Sequence, residues 1–171
     1  MAHYIIGDLH FNHLNIIKYC DRPYQSIDEM NQDLINKWNE IITDKDTVYV
    51  LGDVCMKKKE LYHLDYMSGR KILVFGNHDI FEAREYLKYF DDVRGYIVKD
   101  NIILSHIPVH RSELNRFTGN IHAHTHEKRV LLNNKIDPKY YCVSVEQIGY
   151  KPILLEEIVK ILKESNGNKS N

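Results

Sequence analysis

The side chains able to do chemistry fall into five short stretches. In chain order they are Gly7-Asp8-Leu9-His10, Gly52-Asp53, Gly76-Asn77-His78-Asp79, Ser105-His106 and His122-Ala123-His124-Thr125-His126. Asp, Asn and His are oxygen and nitrogen donors that suit Mn²⁺, Zn²⁺ or Fe ions, and such a set needs no thiolate. Singly, each stretch has an ordinary explanation. A Gly-Asp pair is commonly a turn, a lone His is commonly a hydrogen-bonded core residue, and Gly-Asn-His-Asp can be a helix-entry loop with Asn or Asp as cap. Those explanations leave the joint order unaccounted for, because every stretch falls at the carboxyl end of a predicted strand. In open α/β sheets the crevice beyond those ends is where ligands bind, since loops diverge there and backbone amides are free. The order reads as one metal site.

The elements that must position these groups alternate through the first half of the chain. His3–Asp8, Thr47–Asp53 and Lys71–Asp79 begin as buried strands. Between the first two, 26–43 is an amphipathic helix opened by a capping box, Ser26 with Glu29, and its apolar residues recur at three or four residue steps. Stretches 58–67 and 80–90 read as further helices. That succession predicts a largely parallel sheet with helical crossovers. The second half changes character. Residues 93–106 read as two strands joined at Asp100-Asn101, followed by short strands near 119–124, 129–133 and 140–146 and a closing helix over 155–164. One domain over 1–163 is expected, with a polar, frayed tail at 164–171.

Composition bounds the class. The chain has 171 residues, 43% hydrophobic and 27% charged, enough for a real core. A net charge of -1 argues against coating nucleic acid by bulk electrostatics. Cys20, Cys55 and Cys142 are odd in number and far apart, so buried inert thiols are expected. No apolar run approaches the roughly 20 residues of a membrane span, and the start carries no secretory signal pattern. A cytoplasmic protein with no membrane partner is the expectation.

The ordered motifs GDLHFNH, LGDV, GNHD, LSHIP and HAHTH, with the closing YYCVSVEQIGYKPILLEEI, resemble the calcineurin-like metallophosphoesterase superfamily, in particular its small single-domain bacterial and phage members. The resemblance implies a four-layer α-β-β-α sandwich, two packed sheets flanked by helices, with a two-metal site at their edge. Carried over residue by residue, it implies that Asp8, His10 and His126 hold a first metal and that Asp53 bridges. Asn77, His106 and His124 would hold the second metal, while His78 would approach the substrate as the catalytic imidazole. It implies two divalent cations, Mn²⁺ first, with Fe, Zn, Ni or Co as alternatives. The chemistry expected is attack of a metal-bridging hydroxide on a phosphate ester, with a nucleotide or nucleic-acid diester favoured slightly over a monoester. A phosphoprotein phosphatase is the alternative, but the Asp-Arg-Gly usual after the bridging Asp is missing from GDVCMKKKE. A non-catalytic scaffold ranks last, since every ligand position is filled.

Three alternate histidines, His122, His124 and His126, have the period of a strand and could face one way. Same-face strand residues repeat every ~6.6 Å, so three would span about 13 Å, against about 4 Å for a metal pair. Only two can serve it, and the motif leaves His122 as a packing residue. His13, Arg111 and Lys128 are the further candidates for contacting substrate, because they lie close in sequence to the metal-binding loops. Phe11 and Ala123 stand where the superfamily often has Gly, and each is expected to be small or exposed enough to be accommodated.

Overall fold

The first three strands end in apolar residues, Ile5-Ile6, Val48-Tyr49-Val50 and Ile72-Leu73-Val74, because both of their faces are covered there. In the computed structural model, which describes residues 1–167, β1 (His3–Ile6), β2 (Thr47–Val50), β3 (Arg70–Val74) and β4 (Asp92–Arg94) pair in parallel. A late antiparallel strand, β11 (Ile153–Leu154), joins the edge at β1. Alternate residues serve different layers. Ile6, Val48 and Val50 face one cluster with Met30, Leu34 and Trp38, whereas Ile5, Tyr49 and Leu51 face another with Leu104, Ile121 and Val143.

The outer cluster is covered by α1 (Leu14–Tyr19), α2 (Ile27–Asn39), a 3₁₀ segment at Lys58–Tyr66 and the short α3 (Ala83–Tyr86). α2 opens at the expected cap: Ser26 Oγ accepts from Glu29 N–H at 3.1 Å, while the Glu29 carboxylate reaches one residue further back than a capping box and accepts from Gln25 N–H at 2.7 Å. Two of the expected helices shorten. Residues 58–66 wind as 3₁₀ rather than α, and 80–90 yields one turn, while α1 was not expected at all.

The second sheet takes the order β10 (Tyr140–Cys142), β7 (Gly119–His122), β6 (Ile102–Leu104), β5 (Ile97–Lys99). β5 and β6 form the expected hairpin, with Asp100 and Asn101 at φ of 51° and 64°, the positive values a tight hairpin turn demands. The outer face of this sheet packs against Leu114, Val109 and Phe117 around a 3₁₀ turn, Arg111–Asn115. A two-stranded ribbon, β8 (Leu131–Leu132) with β9 (Lys135–Ile136), projects after β7. α4 (Leu155–Gly167) places Leu155, Ile158 and Leu162 in the cluster shared by both sheets, and its last turn extends past the expected end at 164. The rest of the expected tail, 168–171, lies outside the described residues. Among the described residues no helix is long and apolar enough to cross a membrane.

Candidate metal centre

All five motifs meet at one edge, where parallel pairing of β1 with β2, of β2 with β3 and of β6 with β7 points the strands' carboxyl ends the same way within each sheet. Asp8, Asp53 and Asn77 follow β1, β2 and β3; His106 follows β6; His124 and His126 follow β7. The loops are sewn together by backbone bonds: Asp8 N–H donates to the Gly52 carbonyl at 3.1 Å and His10 N–H to the Asp53 carbonyl at 2.9 Å.

Two donor groups result. One atom each of Asp8, His10 and His126 lie within 4.8 Å of one another, and so do one atom each of Asp53, His106 and His124. Asp53 joins them, since its Oδ2 is 3.6 Å from His10 Nε2 and 3.5 Å from His106 Nε2. Asn77 enters through His106. The His106 Nδ1–H donates to the Leu51 carbonyl at 2.7 Å, which turns Nε2 toward Asn77 Oδ1 at 2.8 Å. Side-chain oxygens of Asp53 and Asn77 thus converge on the His106 Nε2 atom.

A cation fits this arrangement. Asp8 Oδ1 and both ring nitrogens of His10 are buried with no hydrogen-bond partner, and an orphaned buried polar group costs about 1–3 kcal/mol. Burial keeps the His10 ring neutral, its pKa pushed down to about 2, and pushes the Asp8 carboxyl up to about 6. For His126 burial opposes the charge, but hydrogen bonds with Cys20 and Glu146 and the nearby Asp8 charge outweigh it and raise the ring to about 10.

The backbone that aims these groups is unusual. Asp8, His10, Asp53, His124 and His126 have φ of 59°, 53°, 55°, 67° and 50°, in the left-handed region that non-glycine residues rarely enter. The expectation of a strand through His124 is corrected here: β7 stops at His122, and the two later histidines occupy turns. His122 is buried, donates from Nδ1 to the Ala123 carbonyl at 2.7 Å and packs edge-on against Tyr140, outside both donor groups. Gly52 and Gly76 make room for the approach. A Cβ on Gly52 would come within 2.7 Å of His106 Nδ1, and one on Gly76 would run into the Asp53 carboxylate. Ala123 has ordinary φ and abuts Gly7, where an added Cβ would sit 2.5 Å from its own. Phe11, far from being exposed, is fully buried and stacks on His63 at 4.8 Å.

The substrate-side candidates separate. His13, His78 and Lys128 line a cleft of about 570 Å³ with His10, His124 and His126. His78 is exposed there, and its N–H donates to Asp53 Oδ1 at 2.9 Å. Arg111 does not line that cleft; its guanidinium is held 2.6 Å from the buried Asp137 carboxylate.

Three residues reach the centre without having been singled out for it. Asp79, read only as a helix-entry cap, is buried and accepts from Asp53 N–H at 2.8 Å, Val54 N–H at 3.1 Å and Gly76 N–H at 2.8 Å, clamping the second and third loops. Arg22, also buried, donates to the Asp8 and Leu9 carbonyls at 2.8 and 3.0 Å and pairs with Glu146. Glu146 in turn accepts from His126 Nδ1 at 3.1 Å. The one available signal was an Arg in an otherwise unremarked loop and a Glu in the closing motif, neither with a metal-ligand neighbour in sequence. Cys20, Cys55 and Cys142 are free and buried, but Cys20 also reaches His126 and Glu146.

Two packed mixed sheets with flanking helices, carrying paired Asp/His donor groups at the strand ends, define a metal-dependent phosphoesterase architecture. The model of the calcineurin-like phosphoesterase family matches residues 1–165, and the chain belongs to that family. It is 39% identical over 168 residues to an uncharacterized protein of Methanocaldococcus jannaschii, MJ1445, covering 94% of this chain and 91% of that one. It is also 28% identical over 165 residues to the Gene 66 protein of Mycobacterium phage L5, covering 73% and 77% of the two chains. The crystal structure of a protein of unknown function from Aquifex aeolicus, AQ665, superposes with a TM-score of 0.72 at 29% identity, covering 94% of this chain and 98% of that one.

Proposed function

We propose that this chain hydrolyses a phosphate ester, a diester of nucleotide or nucleic-acid type ahead of a monoester, with two divalent cations. Asp8, His10 and His126 would hold one, Asn77, His106 and His124 the other, and Asp53 both. The observation that carries the reading is the position of Asp53 Oδ2, nearly equidistant from the His10 and His106 Nε2 atoms, beside an Asp8 oxygen and a His10 ring that find no hydrogen bond. Cations bound there would supply Lewis-acid polarisation of a phosphoryl oxygen and an activated water as nucleophile. The chain does the rest. Asp53 fixes the His78 backbone through Oδ1, which leaves the exposed imidazole at the rim of the cleft to give a proton to the leaving oxygen. Lys128, on the same cleft, attracts the anionic substrate. Mn²⁺ is the proposed cation and the cytoplasm the proposed compartment.

The test is protein reconstituted with Mn²⁺, Ni²⁺, Co²⁺ or Zn²⁺ and assayed on p-nitrophenyl phosphate and bis-p-nitrophenyl phosphate. Faster turnover of the diester is expected. Preference for the monoester would support the phosphatase alternative, and hydrolysis of neither would overturn the enzymatic reading.

A further inference from the structure

A second hollow of about 610 Å³ opens beside the metal centre, and Asn77 and His106 line it as well as belonging to the donor set. Its walls are Phe75, Tyr96, Val98, Ile107 and Phe117, contributed by the end of β3, the crossing between β4 and β5, β5 itself and the loops after β6. Tyr96, Val98 and Ile107 are 65%, 50% and 52% exposed. Neither Lys nor Arg lines this groove, and the one carboxylate on it, Glu113, would repel an anion. The two hollows meet at the donor residues: the one with five histidines and Lys128, although Glu127 lines it too, suits a phosphoryl group held by cations, and the other, walled by aromatic and branched side chains without Lys or Arg, suits a flat uncharged ring.

We propose that this apolar groove is the subsite for the ring-bearing part of the substrate, a nucleobase whose phosphate is held at the metal centre. The inference rests on the phosphoesterase reading and narrows it to esters of nucleosides. The groove's size lies within the usual range for small-molecule sites, roughly 300–1,000 Å³. Continuity selects this occupant, because the groove shares Asn77 and His106 with the donor set, so a group filling it lies directly beside the phosphate held there. Stacking on exposed aromatic and branched side chains holds any base without needing its particular hydrogen bonds.

The experiment compares adenosine monophosphate with ribose 5-phosphate as inhibitors of bis-p-nitrophenyl phosphate hydrolysis, because the two carry the same phosphate and differ by the base. The nucleotide is expected to inhibit roughly 10-fold more tightly, and the ratio should fall toward unity in the Tyr96→Ala, Ile107→Ser double variant, whose substitutions lie on the surface. Equal inhibition by both compounds, or a ratio that survives the double substitution, overturns the proposal while leaving the hydrolase reading intact. Should the protein hydrolyse neither ester, the hydrolase reading falls and the groove is tested alone, by titrating adenosine into the metal-free protein and following backbone amide resonances. Shifts confined to Tyr96, Val98 and Ile107 would support the subsite, and no shifts at millimolar adenosine would overturn it. A dimer in sedimentation that Tyr96→Arg dissociates would also overturn it, in favour of self-association.

Discussion

Glu146 Oε1 lies 3.1 Å from His126 Nδ1, and the same oxygen is 2.8 Å from Arg22 Nη2. A carboxylate behind a ligating imidazole fixes the tautomer and raises the basicity of the nitrogen that faces the metal. Glu146→Gln keeps the shape and removes the charge. Mn²⁺ affinity measured by calorimetry is expected to weaken by about 10- to 100-fold, and an unchanged affinity would deny Glu146 its positioning role.

Metal loading should release protons in a pattern set by two shifted groups. At pH 8 the Asp8 carboxyl, at about 6, is already ionised, whereas the His126 ring, at about 10, still carries its extra proton. With His126 as a ligand, as proposed, Mn²⁺ would displace that proton, so mixing in a weakly buffered indicator solution should release about one per chain. His126→Asn should abolish the release. The same shift acts on the metal-free protein. A ring raised above its ordinary 6.5 stabilises the fold fully below that pH and loses the contribution as pH rises through about 10. The urea midpoint should therefore decline between pH 7 and 10.5, and decline less in His126→Asn.

Asp79 offers a stability test independent of metal. Truncation to Ala would orphan three buried or half-buried backbone N–H groups, on Asp53, Val54 and Gly76. A loss of about 3 kcal/mol or more is expected from urea unfolding of the metal-free protein. Asp79→Asn, which keeps one accepting oxygen, should cost less.

His78 and Asp53 should fail in different ways. His78→Asn should keep both cations yet lower turnover by about 10²- to 10⁴-fold, the usual worth of one acid-base group. Asp53→Asn should instead lose metal, as elemental analysis of the purified variant would register. A fully active His78→Asn protein would remove that imidazole from the reaction.

Much of this architecture is legible in the residues themselves. The strands with both faces buried show as short apolar runs, Asp100-Asn101 marks its hairpin, and Ser26 with Glu29 marks the start of α2, because each signal is local. The site fails to be legible where it depends on partners remote in the chain. Arg22 meets Glu146 across 124 positions, and Asp79 meets Asp53 across 26, so no spacing rule finds them. The alternation at His122, His124 and His126 misleads for another reason: side chains two apart also recur in a run of left-handed turns, and periodicity alone does not distinguish that backbone from a strand. The 3₁₀ winding of 58–66 likewise hides behind a helical apolar pattern.

The left-handed conformation shared by Asp8, His10, Asp53, His124 and His126 has an evolutionary corollary. Each costs about 1–3 kcal/mol that glycine would not incur, although Asp8, Asp53 and His126 offset part of it by hydrogen bonds with His124 N–H, His78 N–H and Glu146. A descendant relieved of its chemistry would gain most at His10, whose buried ring nitrogens hold no hydrogen bond, so decay of the centre in this lineage should reach glycine there first.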